Sequence, residues 1–315
     1  MTTSKMPLAA MFLSALLCLT ACDQSLDPVP VVSNNTASTT DDENSDARSA
    51  VSSTADLAAL PKDTGGSHSP HVLGSTSAQF GYYLYTPGGY TSTTQLYPLL
   101  IFLHGKGERG DGTSSLTVLN KVLSTGVPRL IKDGKWHPKY PMMVVSPQFH
   151  INIGNLNNWG GGDPTYLKRF IEYMISHYRI DPKRIYLTGL SHGGNGVYDY
   201  ISLQDDATSH LAAAVPIAAY GARKGYNKSD ETPIWTFVGE NDVTNFNTSK
   251  NFVINYNKQV PAPLYKAKIS GYIGVGHDCW TRTYDGTGIG TVDPTYDVFS
   301  TALYDWMFKY KRTAN

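Results

Sequence analysis

The stretch of the chain that decides the fold reads Ile185-Tyr186-Leu187-Thr188-Gly189-Leu190-Ser191-His192-Gly193-Gly194. Its first four residues form a short apolar run typical of a buried strand, and residues 189–193 fit the pattern G-x-S-x-G. In that pattern a strand turns sharply into a helix and lifts the serine hydroxyl above the sheet. Side chains two residues to either side of the serine would collide with the strand and the helix, so glycine is required at both places. The stretch therefore predicts Ser191 as a nucleophile.

Short apolar runs alternate with helical patterns on both sides of this motif. The runs predict strands within 79–85, 99–103, 142–145, 184–188, 213–217 and 233–238. Most are continuous rather than alternating, as in parallel strands covered on both faces. Between two of them, Asp163-Pro164 begins a helical pattern with apolar residues through Tyr178. The alternation predicts an α/β fold with a mostly parallel central sheet and helices on both faces.

A serine hydroxyl needs a base, and in a fold of this kind the partners follow the serine in the order acid, then histidine. Three histidines follow Ser191 in the chain. His192 is its neighbour and points elsewhere, and His210 precedes any suitable acid. His277 lies in a glycine-framed loop, residues 274–280, after the apolar stretch 268–273. His277 is therefore the predicted base.

The acid is expected in the loop after the run 233–238, which contains Glu240 and Asp242. Asp242 is preferred, because the turn residues around it leave room for a loop that carries the later carboxylate to the imidazole. Glu240 is the alternative. Asp278 adjoins His277 and is badly placed to orient its ring.

Stabilising the oxyanion formed by attack on a carbonyl requires backbone N–H donors. One is the N–H of the residue after the nucleophile, His192, and another comes from the loop after an earlier strand. The glycine-rich segment 103–110 is that loop, with the second donor predicted at Lys106 and Gly107 as the alternative. His104 is interpreted as a structural residue that ties the loop down.

The N-terminal residues indicate export. One basic residue, Lys5, precedes an apolar run from Leu8 to Leu19 that is short for a membrane span, and small residues stand directly before Cys22. The pattern resembles the lipobox of bacterial lipoproteins, which predicts a signal peptide over 1–21 and acylation of Cys22. An ordinary signal peptide and a buried helix with incidental cysteines are the alternatives.

The predicted organisation is a signal peptide (1–21), a disordered tether (22–70) and one catalytic domain (71–315). The tether is rich in Ser, Thr, Asp and Asn, and residues 23–70 hold eight acidic residues against two basic ones. Removal of Cys18 and acylation of Cys22 would leave Cys279 alone, so no disulfide is expected.

Composition excludes several other classes of protein. The chain has 315 residues with 26 Lys+Arg and 26 Asp+Glu, and this zero net charge without a basic run argues against a nucleic-acid partner. His68 and His71 lack carboxylate or cysteine partners at ligand spacing, so neither a metal nor another cofactor is predicted. Oligomeric state is not indicated.

Four segments resemble those of the α/β-hydrolase serine esterases related to polyhydroxybutyrate depolymerases and to feruloyl and acetylxylan esterases, some of whose relatives are described as predicted peptidases: 103–110, 182–194, 239–242 and 276–280. The resemblance covers about residues 79–310. It implies Ser191, Asp242 and His277 as the catalytic triad, with Lys106 and His192 as backbone oxyanion donors. His192 stands where such esterases often carry Met or another apolar residue.

Trp159 and Trp280 are expected in loops near the site. They are interpreted either as walls of an acyl or sugar pocket or as buried structural residues. The spacings of 51 residues from Ser191 to Asp242 and 35 from Asp242 to His277 leave no room for a separate cap domain. An open cleft suits short-chain or aromatic acyl esters attached to a bulky group, such as a polysaccharide. The predicted activity is that of an exported serine carboxylic-ester hydrolase. A serine peptidase, a polyester depolymerase and a non-enzymatic surface-binding domain are the alternatives.

Overall fold

An eight-stranded mixed sheet forms the centre of the computed structural model, which describes residues 49–150, 153, 159, 165–203, 210–220 and 232–313. The strands in chain order are β1 (Ser49–Val51), β2 (Ser67–His71), β3 (Gly81–Thr86), β4 (Tyr97–Leu103), β5 (Met143–Gln148), β6 (Ile180–Leu190), β7 (Leu211–Ile217), β8 (Trp235–Gly239), β9 (Lys268–Tyr272) and β10 (Tyr310–Arg312).

Helices lie between most of these strands. The α-helices are α1 (Ala55–Ala58), α2 (Leu116–Leu119), α3 (Gly126–Lys132), α4 (Thr165–His177), α5 (His192–Leu203), α6 (Val243–Asn257), α7 (Trp280–Tyr284) and α8 (Leu303–Phe308). Short 3-10 helices occupy Tyr90–Ser92, Lys106–Glu108 and Asn120–Ser124. Within the described ranges, no helix has both the length and the apolar character needed to cross a membrane.

The spatial order of the central strands is β2-β3-β5-β4-β6-β7-β8-β9. β3 runs antiparallel to β2 and β5, and every other neighbouring pair is parallel. The carboxyl ends of β4 to β9 therefore meet at one edge of the sheet, where loops that follow the strands can combine their side chains. The described residues after Glu43 belong to one unit and include no separate cap domain.

The continuous apolar runs form parallel strands, as the sequence predicts. Every residue of β4 and of β7 is buried, because helices cover the sheet. The predicted helix after β5 is also confirmed as α4, which buries Leu167, Phe170, Ile171 and Met174 on one side. Asp163 and Pro164, predicted to begin it, lie outside the described residues.

The predicted disordered tether does not extend to residue 70. β1 pairs with β10, α1 buries Leu57, and β2 joins the edge of the main sheet by pairing with β3. Composition concealed these elements because they are short and carry few apolar residues. Residues 22–48 lie outside the described residues, as do 1–21 with the predicted signal peptide.

Arg184 on β6 binds this N-terminal segment to the sheet. Its side chain is only 1% exposed and donates to both carboxylate oxygens of Asp56, from Nε at 3.0 Å and from Nη2 at 2.9 Å. It also donates to the backbone oxygens of Ser53 (2.9 Å) and Phe308 (3.0 Å). One buried guanidinium thus joins the segment before α1, the central strand and the end of α8.

Candidate active site

Ser191 occupies a sharp turn between β6 and α5. Its backbone φ is +53°, a left-handed conformation that few non-glycine residues adopt, and its N–H donates to Ile217 O at 2.9 Å. A Cβ on Gly189 would lie 2.5 Å from the carbonyl of Gly193, and one on Gly193 would lie 1.9 Å from Leu103 O. Both glycines are therefore needed for the close approach of strand, turn and helix that the sequence predicts.

The structure brings Ser191, His277 and Asp242 together in one hydrogen-bonded chain. His277 Nε2 lies 2.9 Å from Ser191 Oγ, and His277 Nδ1 lies 2.5 Å from Asp242 Oδ2. The loops that carry the last two residues run side by side after β8 and β9, where Asn241 N donates to Val275 O at 2.9 Å. The His277 side chain is 47% exposed, so the imidazole is accessible from solvent among the described residues.

The two other carboxylates considered for the acid lie elsewhere. Glu240 faces Asp293, and its pKa is raised by burial and then by the charge of that neighbour. Asp278 accepts from the N–H and the hydroxyl of Thr281, at 3.1 and 3.0 Å, in the first turn of α7. Asp242 is the carboxylate that contacts the imidazole.

Asn245 is a buried polar residue of the site that the sequence did not single out. Its Nδ2 donates to Asp242 Oδ2 at 2.7 Å, on the same oxygen that contacts His277. One signal could have indicated the contact: a helix that begins at Val243 places residue 245 in its first turn, close to the side chain of Asp242. No motif in the sequence marks it.

The predicted oxyanion loop runs beside the turn that carries Ser191. Lys106 is the first residue of the 3-10 helix that follows β4, and His192 is the first residue of α5. A Cβ on Gly105 would lie 2.9 Å from Leu190 Cδ1, so the loop backbone contacts the residue that precedes the serine. Backbone groups from both predicted segments are therefore near the serine.

His104 holds this loop from beneath. Its Nδ1–H donates to Gly105 O at 2.6 Å, and its Nε2 accepts from the backbone N–H of Phe149 at 2.9 Å. An acceptor at Nε2 requires the neutral imidazole, and complete burial lowers the pKa of His104 to about 4. The expected structural position of His104 agrees with these contacts.

The two tryptophans differ in position. Trp159 is 6% exposed, donates from Nε1 to His104 O at 2.9 Å and packs against Phe80 and Phe149. Of the two interpretations of Trp159, these contacts favour a buried structural residue over a pocket wall. Trp280 is partly exposed and lies edge-on to the His277 ring, with centroids 5.2 Å apart. Trp280 thus adjoins the imidazole of the candidate site.

Cys279 is a free, buried thiol next to His277. Its Sγ lies 3.7 Å from Phe237 O, and burial raises its pKa far above the ordinary value. Within the part of the chain that the structure describes, no group of three or more His, Cys, Asp or Glu side chains is arranged to hold a metal ion.

Comparisons with known proteins place the chain near esterases. No family model matches it. A segment of 125 residues is 30% identical to the bifunctional acetylxylan esterase/xylanase XynS20E of Neocallimastix patriciarum, covering 38% of this chain and 18% of that protein. The chain thus spans less than a fifth of that relative.

Among solved structures, a thermostable esterase superposes with a TM-score of 0.52 at 22% identity, covering 79% of this chain and 64% of the other. The feruloyl esterase module from Clostridium thermocellum gives a TM-score of 0.47 at 13% identity, covering 84% and 93%. The strand order and the first of these superpositions show that the chain has the α/β-hydrolase fold.

Proposed function

We propose that the protein is a serine carboxylic-ester hydrolase that works through an acyl-enzyme. The observation that carries the proposal is the hydrogen-bonded chain from Ser191 Oγ through His277 to Asp242. A serine on a strained turn, an imidazole within reach of its hydroxyl and a carboxylate on the other ring nitrogen are what nucleophilic acyl transfer requires.

In the first half-reaction Ser191 Oγ attacks the ester carbonyl carbon while His277 Nε2 takes the hydroxyl proton. The carbonyl oxygen becomes an oxyanion that the backbone N–H groups of Lys106 and His192 are proposed to bind. Asp242 stabilises the imidazolium and holds its Nδ1 proton. The intermediate collapses, the carbon–oxygen bond to the alcohol breaks, and the alcohol leaves with the proton from Nε2.

In the second half-reaction water replaces the alcohol. His277 takes a proton from water, the hydroxide attacks the acyl carbon, and Ser191 Oγ leaves and recovers the proton. The products are the carboxylic acid and the free enzyme. No cofactor takes part in these steps.

The proposed substrates are short-chain or aromatic acyl esters, such as those that decorate polysaccharides. The exposed imidazole supports a site open to a bulky alcohol group. The similarity of 125 residues to part of a protein named as a bifunctional acetylxylan esterase/xylanase supports the same substrate class.

We also propose that the protein is exported and held on a bacterial membrane by acyl chains on Cys22. This proposal rests on the sequence pattern around residues 1–22, which lie outside the described residues.

A panel of substrates tests the activity: p-nitrophenyl acetate, butyrate and palmitate, methyl ferulate, acetylated xylan and a peptide anilide. We expect rapid hydrolysis of the short and aromatic esters, a fall towards palmitate, and no cleavage of the anilide. Expelling an amine needs far more help from the imidazolium than expelling an alcohol. An anilide cleaved as fast as p-nitrophenyl acetate would indicate a peptidase instead.

The matched controls are Ser191→Ala and His277→Ala. Each should fold and lose about 10⁴-fold to 10⁶-fold in turnover, and the double variant should be hardly slower, because the two residues act as a unit. Full activity in Ser191→Ala would overturn the proposed mechanism.

A further inference from the structure

We propose that Asn245 is a positioning residue of the triad, whose side-chain amide holds the carboxylate of Asp242 in line with His277. The inference rests on the proposed serine hydrolase mechanism and adds a fourth residue to it. Asn245 itself does not reach the reacting atoms.

Four distances define the arrangement. Asn245 Nδ2 lies 2.7 Å from Asp242 Oδ2, 3.3 Å from Ala218 O and 3.3 Å from His277 Nδ1. His277 Nδ1 lies 2.5 Å from the same carboxylate oxygen. The imidazole and the amide therefore point their hydrogens at one oxygen, and the amide has a second hydrogen for Ala218 O.

The amide is itself firmly held. Asn245 is 7% exposed, and the Ala218 carbonyl that it contacts belongs to a residue with φ of +50° whose N–H donates to Phe237 O at 2.9 Å. Asn245 Oδ1 has no hydrogen-bond partner among the described residues. The two donor contacts thus account for the orientation of the amide. In the opposite orientation Oδ1 would face two other oxygens, Asp242 Oδ2 and Ala218 O.

The beginning of α6 explains why the carboxylate needs this donor. Asp242 is the N-cap residue of α6, but its side chain makes no capping hydrogen bond to the helix backbone. An aspartate at that position ordinarily accepts from the first turn of its helix. Here the carboxylate turns to His277 instead, and Asn245 supplies a donor from the first turn through its side chain.

The expected effect of Asn245 on the reaction is twofold. It fixes the position of the oxygen that orients the imidazole, and it spreads part of the Asp242 charge into a second hydrogen bond. Replacing the donor by a carboxylate should therefore move the acid limb of the reaction to higher pH, because the imidazolium gains a second negative neighbour. The other titratable side chains beside Asp242 and His277 are those of Cys279 and Asp278, and the substitution replaces neither residue.

The test compares Asn245→Asp and Asn245→Leu with wild type and with Asn247→Asp. Asn247 is exposed on the same helix, so its variant adds the same charge outside the site. The rate against p-nitrophenyl acetate is measured from acid to alkaline pH, and thermal unfolding is followed in parallel. The imidazole protons of His277 are also titrated by NMR in Ser191→Ala protein, assigned by their loss in His277→Ala.

We expect the acid limb of kcat/KM and the NMR titration of His277 to move up by about one pH unit in Asn245→Asp, and to stay in place in Asn247→Asp. Asn245→Leu should lose about tenfold to a hundredfold in kcat with KM little changed, because the carboxylate is no longer held.

The proposal is overturned if neither the acid limb of kcat/KM nor the NMR titration of His277 moves in Asn245→Asp. A fall in the melting temperature of the variant would not rescue it, because that result assigns Asn245 a purely structural role. Should Asn245→Asp fail to fold, wild-type kcat in Asn245→Leu would overturn it equally. Failure of the proposed function is a separate result: in that case Ser191→Ala keeps the esterase activity, whatever residue 245 is.

Discussion

The buried imidazole of His104 joins three parts of the chain at the candidate site. The Nδ1–H of the ring donates to Gly105 O in the predicted oxyanion loop, and Nε2 accepts from the N–H of Phe149 after β5. The backbone carbonyl of His104 accepts from Trp159 Nε1. Every one of these bonds is compatible with a neutral ring, and a second proton at Nε2 would remove the bond to Phe149. The geometry of the loop therefore depends on the protonation of one side chain.

His104→Gln should make the stability of the protein less sensitive to acid. The pKa of His104 is about 4 in the folded protein against 6.5 unfolded, so the unfolded state binds more protons between these values. The stability that neutral His104 provides is complete above pH 6.5 and is lost as pH falls towards 4, by about 3 kcal/mol in total. Glutamine can accept from Phe149 but does not titrate.

Urea unfolding at pH 7, 5.5 and 4 measures the effect. The drop in unfolding free energy between pH 7 and pH 4 should be smaller in the variant than in wild type. Equal drops would show that other groups, such as His68, whose pKa burial also lowers to about 4, cause the acid sensitivity.

The G-x-S-x-G pattern selected Ser191, chain order left His277 as the base among the three histidines that follow it, and the turn residues around Asp242 favoured it over Glu240. Asn245 escaped for a physical reason: its role depends on the direction of one side chain in the first turn of α6. Sequence spacing carries no information on such a direction. The sequence left two interpretations of Trp159 open, a pocket wall and a buried structural residue, for the same reason.

At the scale of elements, α1 and the strand pair β1–β10 are fastened to β6 by ionic contacts. Asp56 receives both the Arg184 guanidinium and the Lys311 ammonium, the latter at 2.8 Å. Partial burial alone would raise the pKa of Asp56, but the hydrogen bonds from Lys311 and Arg184 outweigh it and lower the pKa. The contribution of Asp56 is therefore present above pH 3.8 and lost as pH falls further.

Asp56→Ala should cost about 2 kcal/mol in unfolding free energy. The buried Arg184 would lose its nearer counter-charge, which costs about 3–5 kcal/mol for fully buried pairs. The 41% exposure of the Asp56 side chain and a second carboxylate, that of Asp181, 4.0 Å from Arg184 Nε, reduce that figure. The matched control is Asp133→Ala, which breaks the exposed pair with Arg129. That change should cost less than about 1 kcal/mol. Equal effects in urea unfolding would contradict a fastening role for Asp56.

The parallel strands were predictable because burial on both faces leaves an unbroken apolar run. β1 and β2 were not, since a strand of three residues or one at a sheet edge needs no such run. Their place is decided by partners far along the chain, β10 and β3. The composition of a segment carries no information on such distant partners.

At the scale of the whole molecule, Cys22→Ser tests the proposed lipid anchor. The acyl chains would supply the membrane affinity, so the variant should lose palmitate labelling and appear in the soluble fraction with its esterase activity intact. Labelling of cells followed by fractionation measures both. A wild-type protein that takes up no label, together with a variant that still sediments with membranes, would contradict the anchor.

The pairing of β1 with β10 sets the two ends of the described chain side by side, Ser49 opposite Arg312. Arg312 Nη1 donates to the carbonyl of Leu211, the first residue of β7, so this corner lies at the amino ends of the parallel strands, whereas Ser191 follows the carboxyl end of β6. A support or fusion partner attached through either end would meet the pole of the molecule remote from the serine. The candidate active site, at the opposite edge of the sheet, would then face away from that support and stay open to a substrate too large to diffuse.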